Sequence, residues 1–68
     1  MDPNANLRQQ EDTLLALARA TDDSDRAALS GLLAGLRDGL TQWLNRGGFE
    51  PRWAKWPIAA QYYRRSTR

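Results

Sequence analysis

The side chains of this 68-residue chain that could serve as nucleophiles are Ser24, Ser30, Thr41 and Lys55, and none has the partner such chemistry requires. A hydroxyl attacks when a base removes its proton, and histidine, the commonest base, is absent from the sequence. Cysteine is absent as well, which removes thiolate nucleophiles, disulfides and thiolate metal sites together. Asp22, Asp23 and Asp25 form an acidic cluster. A calcium loop, however, needs a glycine and a distal glutamate at fixed offsets, and neither is present. The chain also offers no glycine-rich phosphate loop. These residues predict a protein that is not an enzyme and holds no metal or cofactor.

What remains is binding, and three groups of residues could carry it. Gly31, Gly35 and Gly39 recur every fourth residue inside a helical pattern. Each costs about 1 kcal/mol relative to alanine, and together they make a flat stripe that lets another backbone or a ring approach closely. A second copy of that helix, or the aromatic tail, is expected to fill it, the alternative being that these are surface glycines with no partner. Trp43, Phe49 and Trp53 are expected to cap the open end of a helix pair, whereas Trp56, Tyr62 and Tyr63 lie beside basic residues, as at interaction surfaces. The third group is Arg52, Lys55, Arg64, Arg65 and Arg68. Interleaved with tyrosines, these could bind phosphates and stack on bases, lie on acids such as Asp22, Asp23 and Asp25, or form a free, solvated basic arm with no specific role.

The elements that must position these groups are helical. Asp2-Pro3 reads as an N-cap with proline at the first helical position, and Asn6 with Gln9 is a competing start. The first helix is predicted to run to about residue 20, with Leu7, Leu14, Leu17 and Ala18 facing inward and Leu15 on the flank. Residues 21–25 then make a tight turn in which Ser24 or Asp22 caps a second helix. Leu29, Leu32, Leu33, Leu36, Leu40, Trp43 and Leu44 form the inward stripe of that helix, which stops at Gly47-Gly48. Pro51 and Pro57 forbid a continuous helix between them. Pro57 can open a short third helix over residues 58 to about 64, with Ile58, Ala59 and Tyr62 on one face; residues 66–68 are expected to fray.

The predicted fold is therefore all-α: an antiparallel two-helix hairpin with an aromatic cap over residues 1–53, then a basic aromatic tail over residues 54–68. The charge divides close to the same place, at residue 50. Residues 1–50 hold eight acids and five bases, a net −3, and residues 51–68 hold five bases and no acid. A short chain buries a small share of its surface, and two amphipathic helices leave apolar surface uncovered. Dimerisation into a four-helix bundle, or binding of another protein, is the expected outcome, with nucleic-acid binding by the tail as the rival.

No membrane segment is expected, because the most apolar stretch, residues 27–44, contains Arg37, Asp38 and Gln42. The polar, acidic start is unlike a signal peptide, and the lack of cysteine fits a reducing cytoplasm.

Two segments, Met1-Asp2-Pro3-Asn4-Ala5-Asn6-Leu7 and Leu40-Thr41-Gln42-Trp43-Leu44-Asn45-Arg46-Gly47-Gly48-Phe49-Glu50-Pro51-Arg52-Trp53, resemble a group of small uncharacterised bacterial and phage proteins. That group begins MDPNA and carries a WLxxGGFxPxxW element. The resemblance spans most of residues 1–53 and departs after Trp53, where such proteins usually stop. It brings no catalytic or binding residues, and implies a small intracellular accessory protein associated with bacteria or phage.

Overall fold

The computed structural model describes residues 1–66, which are all-helical, with no strand among the described residues. α1 spans Pro3–Arg19, α2 Asp23–Asn45 and α3 Pro57–Ser66, and a single 3-10 turn, Trp53–Lys55, precedes α3. Each start has a local cause. The Asp2 carboxylate accepts the Asn4 N–H at 3.0 Å, and Pro3 sits where its missing N–H has no consequence. Asp22 caps α2 in the same way, accepting from Ser24 N–H at 3.0 Å. Asp23 and Asp25 then occupy the first turn, where the helix dipole favours a carboxylate. Across the linker, Arg26 Nη1 donates to the carbonyl of Ala20 at 3.3 Å and to that of Leu17 at 3.5 Å, the latter also accepting the Ala20 N–H.

The end of α2 is a Schellman closure. Gly48 N–H donates to Trp43 O and Gly47 N–H to Leu44 O, each at 3.0 Å, with Gly47 at φ 87°. The second glycine is required for another reason, because a side chain on Gly48 would run into the Trp43 indole. That indole donates from Nε1 to Phe49 O at 2.9 Å and meets the Phe49 ring edge-on.

The two long helices pack together, and the buried residues gather at one end of the pair. Leu7, Leu40, Ala59 and Tyr63 form a core cluster, with Leu14, Trp43, Leu44, Trp53 and Trp56 packed against it. α3 lies mainly on α1. The Glu11 carboxylate accepts the Ala59 N–H at 2.9 Å, so a residue of α1 caps the first turn of α3. Thr41 Oγ1 and Tyr63 Oη share a hydrogen bond of 2.7 Å. The segment after residue 53 thus contributes Ala59 and Tyr63 to the same core as Leu7 and Leu40.

Several inward faces differ from expectation. On α1 the buried residues are Pro3, Leu7, Gln10 and Thr13, whereas Ala18 is exposed. The face is rotated because polar residues are drawn in by internal bonds. Asn6 Nδ2 donates to Leu36 O at 3.0 Å, Gln10 Nε2 to Asn6 Oδ1 at 2.7 Å, and Thr13 Oγ1 to Gln9 O at 2.7 Å. On α2, Leu33 and Leu40 are buried but Leu32 is 55% exposed, since it sits about 100° round the helix from Leu33. Phe49, expected to join Trp43 and Trp53 in a cap, is 61% exposed and meets the Trp43 ring edge-on. On α3 the buried residues are Ala59, Ala60 and Tyr63, and Ile58 is turned outward.

Candidate interaction surface

Arg26 of α2 reaches the end of α1 at the linker, and Asn6 near the start of α1 reaches Leu36 in the second half of α2. α3 covers the part of this pair around Leu7, Glu11 and Thr41. Beyond it the pair has no third layer: none of residues 14–32 is buried, and Leu15 and Leu32 are 44% and 55% exposed. Between α1 and α2 in that region lies an open cleft of about 500 Å3, lined by Ala16, Arg19, Ala20, Asp25, Ala28 and Leu29.

The glycine stripe is bare in its first two positions. A methyl group at Gly31 or Gly35 would meet nothing within 4 Å. At Gly39 it would touch Asn6 Nδ2 at 3.6 Å and the Met1 methyl at 3.9 Å. The aromatic tail does not fill the stripe at Gly31 or Gly35.

The tail residues are brought together around α3 instead. Tyr63 is 7% exposed and packs in the core, its ring 5.6 Å from that of Trp53. Tyr62 is half-buried under the Arg37 guanidinium, at 5.6 Å. Trp56 packs on the core with Lys55 Nζ 5.6 Å from its ring, and the Arg64 guanidinium lies 5.4 Å from the Trp53 ring. Lys55 and Arg64 are therefore ring-paired cations, not free ones. Arg52 presents its side chain to solvent while its N–H is held by Asn4 Oδ1 at 2.7 Å, and Arg65 is exposed. Arg68 lies outside the described residues. A cleft of about 360 Å3 opens among Trp53, Pro57, Ala60 and Arg64. The basic groups of the tail among the described residues do not lie on the acidic turn: Thr41, beside Tyr63, is 18 residues along α2 from Asp23, about 27 Å at 1.5 Å per residue.

Among the described residues no group of three or more His, Cys, Asp or Glu side chains could hold a metal ion, and no helix is long and apolar enough to cross a membrane. Four residues that organise the molecule were missed by the sequence reading as contact-makers: Asn4, Asn6, Gln10 and Glu11. The spacing of Asn6 and Gln10, one turn apart, was the available signal for their mutual bond. Nothing local marks Asn4 or Glu11, whose partners are 48 residues away. Gln10 Oε1 is enclosed without a hydrogen-bond donor among the described residues.

The second familiar element also departs from its pattern. A single residue, Arg52, separates Pro51 from Trp53, where the WLxxGGFxPxxW pattern has two. No protein-family model, curated protein or solved structure matches the chain.

Proposed function

We propose that this chain is a small, non-enzymatic interaction protein of the cytoplasm that self-associates and binds another protein, in the manner of a bacterial or phage accessory factor. We read the helix pair as an antiparallel hairpin, with Trp43, Trp53 and Trp56 capping its open end. The paired contacts of Arg26 with residues 17 and 20, and of Asn6 with residue 36, support that direction.

One observation carries the reading: residues 14–32, nearly half of the two long helices, contain no buried residue. Burying a leucine fully is worth about 1.5–3 kcal/mol. Leu15 and Leu32 are 44% and 55% exposed, so covering both would yield about 2 kcal/mol by the same scale. A chain of this size has little other means of gaining stability. A second protein surface supplies that cover without chemistry, which agrees with the lack of histidine and cysteine.

Light scattering from micromolar to millimolar concentration tests the self-association. A mass that rises above 7.7 kDa with concentration is the expected result. A folded 7.7 kDa monomer throughout would remove it.

The rival reading, nucleic-acid binding, draws on exposed Arg52 and Arg65 near the ring-paired Lys55 and Arg64. Deleting the tail is a poor test, because Ala59 and Tyr63 belong to the core. Replacing Arg52, Arg64 and Arg65 by glutamine is the better variant, with circular dichroism to confirm that it stays helical, since all three side chains are exposed and none belongs to the core. Salt-sensitive DNA or RNA binding that disappears in this variant would favour the rival.

A further inference from the structure

We propose that the cleft at the linker end of the hairpin receives the same surface of a second copy of this chain. Leu32 of each copy seats in the other's cleft, and Arg19 of each faces Asp25 of the other. The inference rests on the self-association reading and names its surface.

Three features of one patch carry it. The cleft, about 500 Å3, has Ala16, Ala20, Ala28 and Leu29 among its lining residues, side chains with no polar group to satisfy. Its lining also includes one cation, Arg19, and one anion, Asp25. Both are exposed. Beside the cleft stands a large apolar side chain with nothing over it. Leu32 is 55% exposed and follows Leu29 and Ala28 by three and four residues, which places it on the same face of α2.

A two-fold contact requires a patch to be its own complement, so that residue i meets j while j meets i. One knob beside one hole, and one cation beside one anion, meet that requirement on a single surface.

The wider charge distribution sets the direction of the two copies. Residues 12–34 hold four acids and two bases, a net −2, and the rest of the chain holds eight bases and four acids, a net +4. Two tips laid side by side in opposite directions carry the acidic turn of each past the other's tip, toward the partner's basic half. Laid in the same direction, they would stack like charge on like.

Sedimentation equilibrium of the full chain and four variants, Leu32→Glu, Arg19→Glu, Asp25→Arg and the double Arg19→Glu/Asp25→Arg, tests the proposal, with circular dichroism to confirm that each is helical. The three single variants are expected to weaken the dimer by at least about tenfold, and the double to recover most of that loss. Recovery could not come from better folding. Arg19 ends α1 and Asp25 begins α2, so the exchange sets both charges against their helix dipoles. A dimer untouched by every variant would place self-association on another surface and overturn this one alone. A double variant as weak as the singles would overturn the paired charges. A wild-type chain that stays monomeric to millimolar concentration would remove the self-association reading together with this surface.

Discussion

Substituting alanine at Gly48 puts the closure of α2 to its sharpest test. A Cβ there would lie 2.6 Å from Trp43 Cδ2 and closer still to Cε2 and Nε1, where carbon atoms normally sit about 3.5–4.0 Å apart. The indole is not free to swing away. Its Nε1 donates to Phe49 O at 2.9 Å, and its ring meets that of Phe49 at 5.6 Å and 89°. Accommodating the methyl group therefore means giving up a hydrogen bond worth about 0.5–1.5 kcal/mol and an edge-on ring pair worth about 0.5–1.5 kcal/mol. Part of the contact of Trp43 with the Leu7–Leu40 cluster is lost as well. The expected loss is about 2–3 kcal/mol, a large share of the roughly 3–10 kcal/mol that a chain of this length possesses. Urea denaturation followed by tryptophan fluorescence measures it, and near-ultraviolet circular dichroism reports the displaced indole. Gly47→Ala is the companion. It meets no atom within 4 Å, but φ 87° makes it lose about 1–2 kcal/mol through backbone strain alone, with the Trp43 signal preserved. If Gly48→Ala lost less than about 0.5 kcal/mol and left the near-ultraviolet spectrum unchanged, the reasoning about this closure would be wrong.

Other substitutions probe the remaining contacts. Glu11→Ala removes the acceptor that caps α3 and is expected to lower stability by about 1 kcal/mol, whereas Glu11→Gln keeps an acceptor and loses less; thermal melts resolve the difference as a few degrees in Tm. Thr41→Val and Tyr63→Phe each break the same hydrogen bond, so a double-mutant cycle in urea should give a coupling of about 1 kcal/mol, and strict additivity would deny the bond. Gly35→Ala enters open space in a helix interior and is expected to stabilise the fold by about 1 kcal/mol; a loss in chemical denaturation would show that something approaches this glycine closely.

Much of the helical framework was legible because its signals are local. Asp2-Pro3, the aspartate turn and Gly47-Gly48 each act within one turn of chain, and each marks a boundary in the structure. The leucine spacing of α2 gave the right helix but placed Leu32 inward, because periodicity defines a stripe and not which edge of it a neighbour covers. The packing of α1 on α2, which covers Leu33 and Leu40 and leaves Leu32 outside, decides that edge. The polar face of α1 was illegible for a related reason. Asn6 and Gln10 read as solvent residues by composition, yet their side-chain amides donate internal hydrogen bonds that offset part of the cost of drawing them inward. The tail misled most. Its arginines and lysine suggested a free basic arm, whereas Ala59, Ala60 and Tyr63 supply a core-facing edge that a run of charge conceals. The candidate surface itself, at the linker end, had one legible mark: two amphipathic helices leave apolar surface uncovered, though nothing in the spacing singled out Leu32. The start of the chain and the segment after α2, far apart in the sequence, meet where Asn4 Oδ1 accepts the Arg52 N–H, a contact no local pattern announces.

Amide hydrogen exchange measured at low and high protein concentration addresses the central claim, that one half of this hairpin is finished within the chain and the other by a partner. Protection in residues 14–32 should be weak when dilute and rise with concentration, while amides around Leu7, Leu40 and Tyr63 stay equally protected at both. Protection that is strong in residues 14–32 at every concentration, and that does not change with it, would contradict the account.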